Sequence, residues 1–170
     1  YYKKRKYIQK TIKSIKRQSY KNFQLIFVYD DADKKDLNYI KKIIQKIKIK
    51  KLIINKKNLG VAVSRNIALK YIKGKFTAFI DADDIWKKNK LRDQLFYMSK
   101  SNSDISYTSY EIIDTIGKLQ GKRTVSKNVI YESLSKKCDI GLSSVLLKSK
   151  ILKQNKFPKL RTQEDFGLWL

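Results

Sequence analysis

Seven of the fifteen acidic residues sit in two short stretches, Asp30, Asp31, Asp33 and Asp36 in one and Asp81, Asp83 and Asp84 in the other. Crowded carboxylates repel one another unless a positive group resolves them, and a divalent cation does so naturally. In Asp81-Ala82-Asp83 the i, i+2 spacing turns both carboxylates to one side of an extended segment. Oxygen donors without imidazole suit Mg²⁺ or Mn²⁺, shared with a substrate diphosphate. The plainer reading is that Asp81 to Asp84 turn the chain and cap the next helix. Glu164-Asp165 forms a third acidic pair. It reads as a helix N-terminus, where each acid is worth about 0.3–1 kcal/mol against the dipole.

The chain of 170 residues has no His and one Cys, Cys138. A Ser-His-Asp triad, a His base, an imidazole zinc site and an internal disulfide are therefore excluded. Cys138 reads as a small buried apolar residue. Neither G-x-G-x-x-G nor the phosphate-binding G-x-x-x-x-G-K-[ST] occurs, so neither of those nucleotide fingerprints is available.

The elements that must position the acids alternate. Residues 5–17 read as a helix with Tyr7-Ile8, Ile12 and Ile15 on one face, and residues 36–48 as a second amphipathic helix. Leu25 to Tyr29, Leu52 to Ile54 and Phe76 to Ile80 are short apolar runs typical of strands buried on both faces. A helix over 61–73 follows Gly60 and closes at Gly74, and another lies near 88–100. Beyond Asp104 come β-rich stretches at 104–115 and 143–147, with shorter helices between and after them. Strands alternating with helices of this length predict an α/β domain with a Rossmann-like, mostly parallel sheet. The two acidic clusters then fall where strands leave the sheet at its carboxyl end, the edge at which such sheets bind ligands.

Lys+Arg is 40 against 15 acids, a formal net charge of +25. The excess is Lys, with Arg only at positions 5, 17, 65, 92, 123 and 161. Base readout favours Arg, and the lysines are interleaved with Ile as on solvated helix faces. Nucleic acid is therefore not an expected partner. Attraction to an anionic membrane surface, at about 1 kcal/mol per well-placed Lys, makes peripheral membrane association a competing use of the charge. No apolar run approaches the roughly 20 residues of a membrane span.

Several phrases resemble family 2 glycosyltransferases of the GT-A fold. They are Gln18-Ser19-Tyr20-Lys21-Asn22-Phe23-Gln24-Leu25-Ile26, Asn58-Leu59-Gly60, Ser64-Arg65-Asn66, Phe79-Ile80-Asp81-Ala82-Asp83-Asp84-Ile85-Trp86 and Gln163-Glu164-Asp165-Phe166-Gly167-Leu168-Trp169. They occur in family order over residues 8–170. The resemblance implies a nucleotide-sugar donor, with UDP-sugars favoured, a glycan or lipid-linked acceptor, and Mn²⁺ or Mg²⁺. It implies that Asp30 or Asp31 contacts the nucleotide, and that Asp81 and Asp83 form the D-x-D motif. Asp81 would meet the nucleotide, Asp83 would be the direct metal ligand with Asp84 next in line, and Asp165 would be the catalytic base. Arg65 would help position the nucleotide sugar, or equally form a salt bridge within the fold. It further implies an inverting transfer serving cell-envelope polysaccharide synthesis, in the cytoplasm or at the inner face of the membrane.

Two departures accompany the resemblance. The family's D-D-G-S is Tyr29-Asp30-Asp31-Ala32-Asp33 here, with an extra residue, so Asp30 and Asp31 both remain candidates. The family's first strand and its P-x-Y-N-like turn precede Tyr1, and the region beyond the E-D helix is missing. The expectation is a single catalytic domain over 1–170, truncated at both ends. A basic nucleic-acid or membrane-surface module and an inactive transferase remnant are the competing expectations. A haloacid-type phosphatase would want a small residue and Thr after its D-x-D. A nucleotidyltransferase would want a Gly-rich N-terminal loop.

Overall fold

The computed structural model describes residues 1–126, 132, 140–160 and 162–169; Cys138 and much of the stretch between 116 and 142 lie outside them. The first half alternates as expected, in the order α1 (Arg5–Lys16), β1 (Leu25–Tyr29), α2 (Leu37–Ile44), β2 (Lys50–Ile54), α3 (Val61–Leu69), β3 (Phe76–Ala78) and α4 (Lys90–Ser101). Then come β4 (Ile105–Ser106), β5 (Tyr110–Ile113), β6 (Leu119–Arg123), β7 (Leu146–Lys148), α5 (Ile151–Gln154) and α6 (Phe166–Trp169).

In α1 the spacing of Ile8, Ile12 and Ile15 lines one face, and all three are buried against Phe27 and Tyr29 of β1 and Ile40 and Ile44 of α2. Lys13 and Lys16 in its last turn complement the helix dipole. Helices α2 and α3 stop about four residues before the expected ends because their last turns tighten. Gln45 and Ile47 donate to Lys42 and Ile44, and Lys70, Tyr71 and Ile72 to Ile67, Ala68 and Leu69, all i→i−3 bonds.

β1 and β2 pair in parallel, Leu25 opposite Lys50 through Tyr29 opposite Ile54. The α/β class therefore holds, and among the described pairs the parallel arrangement is confined to these two strands. β7 runs antiparallel between β3 and β4, with Phe76 opposite Lys148 and Ile105 opposite Leu147. It follows β5 and β6 in the chain. β3 ends at Ala78 because β7 offers only three residues to pair with. Two residues beyond Phe79, Asp81 N–H donates to the Ser143 hydroxyl instead of to a strand (3.0 Å). β5 and β6 form a hairpin whose turn is closed by Asp114 Oδ1, which accepts from the N–H groups of Ile116, Gly117 and Lys118. Gly117 takes the left-handed φ of +98° that the turn needs.

Candidate functional site

α3 organises the site, and it does so through the triplet Ser64-Arg65-Asn66. Each side chain reaches a different segment. Ser64 Oγ accepts from Asn55 Nδ2 at 3.0 Å, just past β2. Arg65 donates from Nη2 to Asp81 Oδ1 at 2.6 Å and from Nη1 to Glu164 Oε1. Asn66 makes a two-way bridge to Phe157, with Nδ2 donating to its carbonyl and Oδ1 accepting from its N–H, at 2.9 and 3.0 Å. The arginine also lies over the Phe157 ring at 5.3 Å. One helical turn thus fastens the ends of β2 and β3 and the C-terminal segment together.

The first acidic stretch leaves β1 at Asp30. Both Asp30 and Asp31 are buried. Asp30 Oδ1 accepts from Asn55 Nδ2 at 2.7 Å and from Leu59 N–H at 2.9 Å, and Oδ2 accepts from Gly60 N–H at 3.0 Å. Its carboxylate therefore shapes the loop that starts α3. Gly60, at φ +82°, is the residue that lets the backbone turn there. Asp31 makes no side-chain hydrogen bond or ion pair among the described residues. Alongside, Tyr1 bonds β1 on the parallel pattern, its amine donating to Val28 O and its carbonyl accepting from Asp30 N–H. Asp33 accepts from Lys35 N–H, and Asp36 pairs with Arg5 and with the Tyr1 hydroxyl. These last two acids serve the fold.

The second acidic stretch follows β3. Asp81 is held by Arg65, and its carbonyl accepts from Asp84 N–H in a turn. Asp83 meets Lys4 Nζ at 2.6 Å, and that hydrogen bond raises the Lys4 pKa. Asp84 is open to solvent on one side. Desolvation raises its pKa, a hydrogen bond with Ser143 opposes that, and the charges of Asp81 and Asp83 add to the rise. The donor set is hard oxygen throughout and fits Mg²⁺ or Mn²⁺. Among the described residues no three such side chains gather on one point.

Asp165 opens α6, where its Oδ1 accepts from Phe166 N–H at 2.9 Å. Its neighbour Glu164 is buried against Arg65. The structure therefore brings the D-x-D segment and the E-D segment together through one guanidinium. Lys4, Ser143 and Glu164 are the site residues that sequence reasoning missed. Glu164 was adjacent to an expected residue, whereas nothing distinguishes Lys4 from the other lysines or Ser143 from the other serines. For Arg65, the salt-bridge alternative describes the observed contacts. Trp86 packs in the core and donates from Nε1 to Ser143 O at 2.8 Å. Trp169 and Tyr107 pack around Val145 and Leu147.

The model of glycosyl transferase family 2 matches residues 1–159. WfgD of Escherichia coli, a UDP-Glc:alpha-D-GlcNAc-diphosphoundecaprenol beta-1,3-glucosyltransferase, is 38% identical over 163 residues, 96% of this chain and 63% of its own length. TuaG of Bacillus subtilis (strain 168), a putative teichuronic acid biosynthesis glycosyltransferase, is 32% identical over 99% of this chain and 68% of its own. The chain thus spans about two thirds of the length of these two relatives. S. aureus TarS in complex with UDP superposes with a TM-score of 0.73 at 22% identity, covering 97% of this chain and 50% of that one, a likeness of GT-A fold. By sequence and by fold, the chain belongs to glycosyl transferase family 2.

Proposed function

We propose that residues 1–170 form one catalytic unit that transfers a sugar from a nucleotide-sugar donor to a hydroxyl of a glycan or lipid-linked acceptor, with inversion at the anomeric carbon. The observation that carries this reading is the bridge from Asp81 through Arg65 to Glu164. It ties Asp81 of the D-x-D segment to Glu164, the neighbour of Asp165. Asp31, whose carboxylate is engaged by none of the described residues, meets the nucleoside, while Asp30 shapes the loop beneath it. Asp81 and Arg65 face the donor's phosphates and sugar. Asp83, with Asp84 beside it, would hold Mn²⁺ or Mg²⁺. When bound, the cation neutralises charge on the departing nucleoside diphosphate.

Asp165 accepts the proton of the acceptor hydroxyl. The oxygen of that hydroxyl then forms a bond to the anomeric carbon as the bond to the diphosphate breaks. General-base assistance of this kind is worth roughly 10²–10⁴-fold. A UDP-sugar and a lipid-linked acceptor are favoured by WfgD, whose name specifies both, and by the UDP complex of TarS. Such a reaction belongs in the cytoplasm, at the inner face of the membrane. No helix among the described residues is long and apolar enough to cross one.

Thermal unfolding with UDP, with and without Mn²⁺, tests the donor site. A ligand at about 100 times its Kd adds roughly 2.7 kcal/mol. The expected result is stabilisation that needs both components and disappears in Asp83→Asn. Absence of any shift with UDP, GDP, dTDP and CDP overturns the assignment.

A further inference from the structure

Five lysines converge at the end of β3 opposite to the one that leads to Asp81, Asp83 and Asp84. Lys73 and Lys75, just before β3, and Lys148, Lys150 and Lys153, from the end of β7 into α5, line one pocket of about 370 Å³ with Gly74, Phe76 and Ser149. The register explains the convergence. Phe76 opens β3 opposite Lys148, which closes β7, so two lysine-rich connections meet at the same sheet edge. Ser149 N–H donates to Lys75 O at 2.8 Å and ties the two walls together. Asp81 leaves β3 at its other end, so this pocket and the acidic face stand at opposite edges of the sheet.

Two of the five ammonium groups share one carboxylate. Asp104 pairs with Lys148 at 2.7 Å and Lys150 at 3.4 Å, and those contacts hold its carboxyl below the usual range. Lys73, Lys75 and Lys153 have no partner among the described residues. Lysines such as Lys10, Lys41 and Lys42 stand exposed on the faces of α1 and α2. Here five lysines border a concavity, and like charges gathered around one space are relieved by an anion placed within it. Lysine supplies compact, rotatable point charges without the planar fork of arginine, which suits a phosphate group met from several sides.

We propose that this pocket is a second binding site of the protein, separate from the donor site, for a phosphate-bearing anion. Two sources present that chemistry, a soluble polyphosphate and the headgroup layer of an anionic membrane. The proposal does not depend on the glycosyl-transfer reading, because it uses none of the same residues.

The test compares the intact chain with Lys73→Ala/Lys75→Ala/Lys153→Ala, which removes no observed ion pair, and with Lys10→Ala/Lys41→Ala/Lys42→Ala, which loses the same charge from α1 and α2. Inorganic pyrophosphate is titrated calorimetrically, and sedimentation is measured with vesicles of phosphatidylglycerol and phosphatidylcholine. Each lysine at an anionic surface contributes about a factor of five, so the pocket variant should lose affinity by about 100-fold. Loss of pyrophosphate binding in that variant alone supports the proposal and identifies a soluble ligand. Loss of vesicle binding in that variant alone supports it and identifies the membrane. Equal losses in both variants, or no loss in the pocket variant, overturn it.

Discussion

Replacing Arg65 by Met should be among the most damaging single changes in this chain, and the structure says which of its two partners is responsible. The arginine side chain is 15% exposed; Glu164 is 11% exposed and Asp81 46%. Once the guanidinium is gone, Asp81 turns to water, and its exposed half of the bridge was worth only about 0–1 kcal/mol. Glu164 cannot turn to water. Stranding a buried carboxylate costs about 3–5 kcal/mol when the pair is fully enclosed, and the loss of the contact with Phe157 adds about 0.5–1 kcal/mol. Because Glu164 keeps some access to solvent, the total should be about 3 kcal/mol.

Urea unfolding at unchanged m gives this value directly. Double-mutant cycles then divide it. The coupling of Arg65→Met with Glu164→Gln should reach about 1.5–2 kcal/mol, and that with Asp81→Asn should stay under about 1 kcal/mol. Arg65→Lys should recover less than half of the loss, since one ammonium can meet only one of the two carboxylates. An Asp81 coupling equal to or larger than the Glu164 coupling would refute the reasoning, as would a total below about 1 kcal/mol.

Asp30→Ala strands the N–H of Leu59 and leaves Asn55 Nδ2 with only Ser64 Oγ and Gly60 N–H with only Asn58 Oδ1, and should cost about 1–3 kcal/mol in chemical denaturation; Asp31→Ala, which removes no observed hydrogen bond, should cost far less while weakening UDP binding. Asp165→Asn should reduce sugar transfer by roughly 10²–10⁴-fold in an assay of nucleoside diphosphate release, with UDP-dependent stabilisation unchanged. Lys90 has its pKa pushed down to about 7 by burial, although Gln94 Oε1 accepts from it at 2.6 Å and the Trp86 ring lies 4.5 Å away. The unfolded chain binds this proton up to about pH 10.4, so above pH 7 it carries more protons than the folded one and stability rises with pH across that window. Lys90→Met should therefore raise Tm at pH 7, and the gain should shrink towards pH 10; a gain independent of pH would show that packing is the cause.

Much of the site was legible because its chemistry depends on residue type at fixed spacing. The run Phe79 to Trp86 announces a strand that ends in carboxylates, and the structure places those carboxylates beyond β3. Ser64-Arg65-Asn66 was legible as a motif, yet its mechanical meaning was not. Three consecutive helical positions diverge by about 100° each, and only the fold reveals that the three directions hold Asn55, Asp81 with Glu164, and Phe157. Lys4 was illegible for a different reason, since among so many lysines none carries a mark that it will meet Asp83. The antiparallel course of β7 was hidden because Leu146 to Lys148 forms a strand too short to have a period of its own, and direction is set by where the chain returns from.

The distribution of satisfied oxygens separates architecture from chemistry more sharply than the positions of the acids do. Asp30 spends both carboxylate oxygens on three donors of the chain, and Glu164 is enclosed with Arg65. A group so occupied would have to break its own fold to bind a ligand. Among the described residues Asp31 has no hydrogen-bond or ion-pair partner, Asp83 is met only by the exposed Lys4, and the Asp165 carboxylate has one backbone bond. Those three can exchange their contacts at little cost, Lys4 being a pair of the kind worth about 0–1 kcal/mol. Fixed acids adjoin free ones along the chain, Asp30 beside Asp31 and Glu164 beside Asp165, while Asp81, held by Arg65 on one oxygen, stands two residues before Asp83. In each case one carboxylate anchors the backbone so that its neighbour is presented in a set direction without being consumed, which is the preorganisation that positioning a donor and a base requires.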